Sequence, residues 1–219
     1  MGHAGMAAAA VRYLRADPAD SGRRTTRPEP VVEVLPRPEL RCVGENERAP
    51  VDQAEFRHVL GAFATGVTVI TAPAPGPPAE AGAPALAEPP AGFACQSFSS
   101  LSLDPPLVAF MVSRTSATWP RIARAGVFCV NVLGAEQGEL CRRFAVSGAD
   151  KFAGVAHTPA PVTGSPRLAG AAAWIDCVIH AVHTGGDHLI VVGRVEALDT
   201  DDETQPLLFH RGRFGQLRT

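Results

Sequence analysis

The spacing of the strand-forming runs limits the fold more than any other feature. GVTVITA (66–72), Phe93–Ser102, Leu107–Val112, Gly126–Leu133, Trp174–His183, His188–Leu198 and Leu207–Leu217 follow one another with only short helical patterns between them. A parallel sheet needs a long crossover after nearly every strand, and regular βαβ alternation is missing here. GxGxxG and GxxxxGK[ST] are missing too, so any nucleotide bound by this chain is held by some other arrangement. The pattern predicts a mainly β fold, a closed antiparallel barrel with two or three small helices.

The first helix is announced by Asp52 and Glu55, an Asp variant of the capping box, with Phe56, Val59, Leu60 and Phe63 at helical spacing behind them. This predicts an amphipathic helix over roughly 53–64, ended by Gly66. A second helix begins near Trp119–Pro120, where proline is tolerated because a first-turn amide has no intrahelical partner. A third covers Gln137–Phe144. Between Pro73 and Pro90 stand seven prolines, which exclude a helix interior or central strand and leave a long surface insertion (73–91) between two strands. Residues 1–50 hold eight arginines, seven acids and six prolines without a sustained period, so they read as a flexible or loosely docked extension. Val31–Leu35 is the one short strand candidate there. The domain proper is then 51–219.

Composition excludes several function classes. With 20 Lys+Arg against 22 Asp+Glu, the net charge of -2 lacks the footprint of a nucleic-acid binder. Five cysteines occur without a CxxC pair and the histidines without HExxH, so neither zinc nor another metal is expected. Cys129 and Cys177 lie in apolar runs and read as small buried hydrophobes. No run reaches the roughly 20 apolar residues of a membrane span, and the amino-terminal segment breaks at Arg12 without a signal-peptide core, so a cytoplasmic protein is expected. Lys151 is the only lysine, which with the alanine-rich composition suggests a GC-rich bacterial source.

Three segments carry candidate chemistry. Gly92–Phe110 concentrates hydroxyls at Ser97, Ser99, Ser100 and Ser102, and buried hydroxyls need partners. It reads either as an edge strand with a solvated face or as a polar cradle for a heteroatom-rich ligand. Arg114, beside Ser113, Thr115, Ser116 and Thr118 and just before a helix, suits a phosphate site, although a capping Ser116 or Thr118 explains part of the pattern. Gly185-Gly186-Asp187 reads as a hairpin turn that puts His188 at the head of a strand. That histidine is a turn residue, a proton donor, or a contact for a carboxamide or flavin edge. No nucleophile triad stands out, and hydride transfer from a nicotinamide to a flavin needs none.

FRHVLGAFATGVTVIT (56–71), GFACQSFSSLSLDPPLVAFMVSRTSATWPRI (92–122), GVFCVNVLGAEQGELCRRFA (126–145), KFAGV (151–155), GSPRLAGAAAWIDCVI (164–179), GDHLIVVGRV (186–195) and PLLFHRGRFGQL (206–217) together resemble the short-chain flavin reductases, in order over about three quarters of the chain. The resemblance implies an FMN-binding, Greek-key split barrel. It also implies a homodimer that reduces free FMN or FAD with NADH or NADPH and releases the product to a partner monooxygenase. A split-barrel oxidase with tightly held flavin, or a flavin carrier, are the alternatives. By the same resemblance Ala94, Cys95, Gln96, Ser97, Ser99 and Ser100 line the flavin ring and ribityl chain. Val112, Ser113, Arg114, Ser116 and Thr118 lie near its phosphate, Lys151 and Phe152 form a contact pair, and His188, Arg213 and Phe214 approach the ring and nicotinamide. The family commonly reads TANSF where this chain reads ACQSF. Gln96 keeps an amide one methylene longer, and Cys95 replaces a small apolar residue.

Overall fold

The structure is a computed structural model and describes residues 51–74, 88–148 and 150–217. The extension, its Val31–Leu35 strand and most of the proline-rich insertion lie outside the described residues. The elements, in chain order, are α1 (Gln53–Leu60), β1 (Thr65–Gly66), β2 (Thr68–Ala72), β3 (Ala91–Cys95), β4 (Phe98–Leu103) and β5 (Pro106–Ser113). Then come α2 (Trp119–Ala125), β6 (Val127–Val132), α3 (Gly138–Ala145), β7 (His157–Pro159) and β8 (Pro166–Leu168). The long hairpin β9 (Ala173–Gly185) and β10 (His188–Thr200) follows, and β11 (Leu208–His210) and β12 (Arg213–Gly215) end the domain.

Seven strands form one antiparallel sheet in the order β3-β2-β6-β9-β10-β5-β4, so neighbours adjoin out of chain order as Greek-key barrels require. The two edge strands, β3 and β4, are consecutive in sequence yet share no ladder, and there the barrel is split. Beside this split Cys95, at the end of β3, and Ser97, just before β4, both reach Met111 of β5. Ser97 Oγ donates to Met111 O (3.0 Å) and accepts from Met111 N (3.1 Å). These bonds explain why the run Phe93–Ser102 is two strands and not one: Ser97 turns out of the ladder to pair with β5.

β2 is buried on both faces because it separates two cores. Ile70 and Ala72 enter the barrel interior with Phe110, Phe128, Trp119 and Val191. Val67 and Val69 point the other way, into a cluster with Leu133, Phe144, Phe152 and Leu168 beneath α3. Phe110 centres the first core, its ring 5.1 Å from Phe128 and 6.4 Å from Trp119. Cys129 and Cys177 are fully buried, and burial pushes the Cys129 thiol up to about 12.

Buried polar groups tie the strand-poor segment 156–169 to the barrel. Asn131 Nδ2 donates to Val69 O, Thr71 Oγ1 and Pro166 O, and its Oδ1 accepts from Leu168 N at 2.7 Å. Asp176 Oδ2 accepts from Val162 N and Thr163 N, and Oδ1 from Thr163 Oγ1.

Two further boundaries differ from expectation. α1 stops at Leu60, where Gly61 caps it, four residues before the predicted end. Among the described residues its apolar stripe is not covered: Phe56, Val59 and Leu60 remain 56%, 61% and 54% exposed. Leu207–Leu217 is a hairpin, because Arg211 (φ 48) and Gly212 (φ 78) form a two-residue turn between His210 and Arg213. The insertion does lie between two strands: Ala72 pairs with Ala91 across its ends.

Candidate functional site

A cavity of about 1130 Å³ opens beside the split. Its floor is the β3–β4 junction and the end of β5, its walls are α3 and the Ser113–Thr118 loop, and the β11–β12 hairpin closes one side. Ala94, Cys95, Gln96 and Ser97 line it from the junction, and Val112, Ser113, Ser116 and Thr118 from β5 and the loop after it. Lys151, His188, Arg213 and Phe214 complete the set expected from sequence that the fold brings together.

Four expected residues stand elsewhere. Ser99 and Ser100 lie on β4 outside the cavity, and Ser99 Oγ donates to the adjacent Ser100 carbonyl. Ser99 and Ser100 are consecutive on the strand and face opposite sides of it, so they cannot share one wall. Arg114 also lies outside; its backbone N–H donates to Asp187 O (3.0 Å), fastening the β9–β10 turn to β5, while its side chain is exposed. Phe152 is 7% exposed and belongs to the second core, with its ring edge-on to Phe144 at 5.1 Å. Adjacent residues point apart here: Lys151 faces the cavity and Phe152 the core.

Most polar lining groups are already oriented. Ser113 and Thr115 share a 2.8 Å hydrogen bond, and Ser116 Oγ accepts from Trp119 N. The helix-capping reading therefore holds for Ser116, while Thr118 makes no side-chain cap bond and stays free to face the cavity. Lys151 Nζ donates to Gly92 O (3.1 Å) and Phe144 O (3.0 Å), which leaves one ammonium proton uncommitted. Burial holds its pKa below the usual lysine value. His188 Nδ1 lies 2.8 Å from Asp187 Oδ1. That hydrogen bond and the imidazole's charge hold the Asp187 carboxyl below the usual carboxylate range. With Nδ1 committed to a carboxylate, Nε2 is the nitrogen left for a ligand. The Cys95 thiol is pushed up by burial and stays a neutral apolar group against the cavity.

Sequence reasoning missed Arg142 and Phe209, which also line the cavity. Arg142 stacks over Phe214 at 5.1 Å, and Phe214 packs 5.5 Å from Phe209. Gly138 allows this approach, since a Cβ there would meet Phe214 Cδ2 at 3.2 Å. The signal available was the helical phase of Gly138 and Arg142, four apart and therefore on one face of α3. The cavity thus carries Arg142, Lys151 and Arg213, and no Asp or Glu is among its described lining residues. In a chain of net charge -2, that local excess of cations marks a site for an anion.

A profile described as "Flavin reductase like domain" matches residues 60–218. The reductase subunit of a flavin-dependent monooxygenase from Rhodococcus jostii is 49% identical over 164 residues, 75% of this chain and 77% of that protein. A flavin reductase from Pseudomonas putida is 43% identical over 175 residues, covering 80% of this chain and 96% of the relative. Among solved structures, the NADH:FAD oxidoreductase of Streptomyces globisporus C-1027, in complex with NAD and FAD fragments, matches with a TM-score of 0.67 and 35% identity over 76% of this chain and 93% of that one. Fold, site chemistry and relatives agree, and the chain belongs to the flavin reductase-like domain family.

Proposed function

We propose that this protein reduces free FMN or FAD with NADH or NADPH and releases the reduced flavin to a partner monooxygenase. The observation that carries the reading is the cavity at the barrel split, with three cationic side chains and no carboxylate among its described lining residues. Its volume suits more than one nucleotide-sized ligand. Ala94–Ser97 offers backbone and side-chain polar groups beside an apolar floor, the donor set that a flat heteroaromatic ring with polar edges requires. Bound flavin would supply the two-electron sink; the protein supplies binding, orientation and exclusion of water.

Each group has a role within that reading. Lys151, with the Ser113, Ser116 and Thr118 hydroxyls, holds a phosphate. Gln96 and Ser97 fix the ring edge, and Ser97 itself is fixed by Met111. His188 presents Nε2 to the carboxamide of the nicotinamide and sets its height over the ring, since close approach contributes more than acid–base chemistry to such a transfer. The cytoplasm is the proposed compartment, because reduced nicotinamide nucleotides are regenerated there. The relatives' description as monooxygenase reductase subunits supports the diffusive coupling to a monooxygenase.

The same reading includes a homodimer. The open apolar stripe of α1 and the exposed Leu103 of β4 (95%) support a partner copy that covers them. Sedimentation at micromolar concentration is expected to give twice the chain mass, and a monomer would remove the homodimer. The activity is tested by anaerobic mixing of protein and FMN or FAD with NADH or NADPH, followed near 450 nm. Rapid bleaching above the protein-free control is expected in at least one of the four combinations. No bleaching in any of them, with flavin binding verified separately, would contradict the proposal.

A further inference from the structure

Two adjacent arginines of α3 are used differently. Arg143 is spent on the chain itself, donating to the Asp150 and Ala153 carbonyls. Arg142 leaves the helix on the Gly138 face and enters the cavity over the Phe214 ring. Its other hold is Nη1 to Glu139 Oε2 at 2.8 Å, between side chains 64% and 86% exposed. Such a pair contributes little to stability, and the cation over the half-buried Phe214 ring adds only a modest attraction, so both contacts exchange for a stronger partner. A guanidinium has five N–H donors in a planar fork that matches phosphate, and Arg142 has committed one. Lys151, by contrast, is fastened by Gly92 O and Phe144 O beyond the carboxyl end of α3, on the side of the Ser113–Thr118 hydroxyls. One phosphate served there leaves Arg142, with Arg213 entering from β12 beside Phe214, without an anion. The reductant brings further phosphates to the same cavity.

Resting on the flavin reductase reading above, we propose that Arg142 binds a phosphate of the reduced nicotinamide dinucleotide, exchanging Glu139 and Phe214 for it. Arg142 is then a specificity residue for the reductant, while the flavin's phosphate is served by Lys151 and the hydroxyl loop. Release of Phe214 on binding leaves that ring free to pack against the incoming nucleotide.

The test compares wild type, Arg142→Gln, Arg142→Lys and, as a charge control outside the cavity, Arg124→Gln. Calorimetric titration of the flavin-loaded protein uses ADP-ribose, which carries the phosphates without the nicotinamide. Turnover is measured with NADH and with 1-benzyl-1,4-dihydronicotinamide, a hydride donor that has no phosphate. The expected result for Arg142→Gln is a Kd for ADP-ribose and a KM for NADH raised about tenfold or more. Its FMN affinity and its kcat/KM with the benzyl donor stay within about twofold of wild type, the scatter expected when no contact is lost. Arg142→Lys recovers part of the loss, and Arg124→Gln loses nothing. An FMN Kd that rises in step would give the phosphate to the flavin and overturn the assignment. Equal loss with both donors at intact FMN binding would reduce Arg142 to a structural role. An unchanged Kd for ADP-ribose would remove the phosphate contact altogether. Wild-type protein that reduces flavin with neither donor would overturn the activity itself, a result visible before any variant is made.

Discussion

Asn131→Ala tests how the segment 156–169 is held to the barrel. Asn131 is fully buried, and four hydrogen bonds meet on its amide. The Pro166 carbonyl keeps a second donor, Thr71 Oγ1 at 2.6 Å, so its loss is small. The Leu168 N–H has no such substitute, because Asn131 Oδ1 is its acceptor and Leu168 is 4% exposed. Stranding a buried donor costs about 1–3 kcal/mol, and the space left by the amide adds to this. We expect a loss of about 3 kcal/mol, which for a chain of this size is a fall in Tm of about 6–12 °C. Thermal unfolding of the ligand-free protein followed by circular dichroism measures it. Asn131→Asp is expected to lose at least as much near neutral pH, since it sets a fully buried carboxylate against the Val69 and Pro166 carbonyls. A fall below about 2 °C for Asn131→Ala would show that water or backbone movement re-satisfies Leu168, and would refute the account of how 156–169 is anchored.

Other expectations follow from single contacts. His188→Ala is expected to lower kcat/KM for NADH by about tenfold or more while leaving flavin affinity unchanged, by the same arithmetic as the loss of one polar contact; steady-state kinetics beside a fluorescence titration separate the two, and an unaltered rate would remove His188 from the mechanism. Lys151 has a pKa lowered by burial, so its charge is lost in the free protein at a pH below the ordinary lysine value. A bound phosphate favours the charged form, so FMN affinity should fall as pH rises through that depressed pKa; affinity flat up to the ordinary lysine pKa of 10.5 would separate Lys151 from the phosphate. Gly193→Ala places a Cβ into the Phe128 ring and 3.2 Å from Cys177 Cβ, and such overpacking costs about 1–3 kcal/mol, seen as a lower urea midpoint with an unchanged slope.

The strands with continuous apolar runs, such as Pro106–Ser113 and Val127–Val132, were legible because their burial on two sides leaves few polar residues to confuse the pattern. The break at Gln96-Ser97 was not, since it is caused by a hydrogen bond to Met111, fourteen residues away. β7 and β8 escaped notice because each has three residues and a proline, and they are held by Asn131 and not by their own composition. α1 was read correctly as amphipathic, but the pattern is silent on whether the apolar face meets its own chain or another. At the site, segments carrying several matching residues were found, while the direction of single side chains was not. Ser99 and Ser100, consecutive on β4, face opposite sides of the strand and neither reaches the cavity, and Phe152 turns inward beside Lys151. Arg142 reaches the cavity through packing on Phe214, seventy-two positions later in the chain.

The central claim is that both nucleotides meet in the cavity at the barrel split. A crystal structure of the protein soaked with FMN and NAD⁺ tests it directly. The account predicts the flavin ring against Ala94–Ser97, a phosphate within hydrogen-bond distance of Lys151 or the Ser113–Thr118 hydroxyls, and the nicotinamide beside His188. Flavin bound anywhere else, such as on the outer face of β4 with the cavity filled only by water, would contradict it.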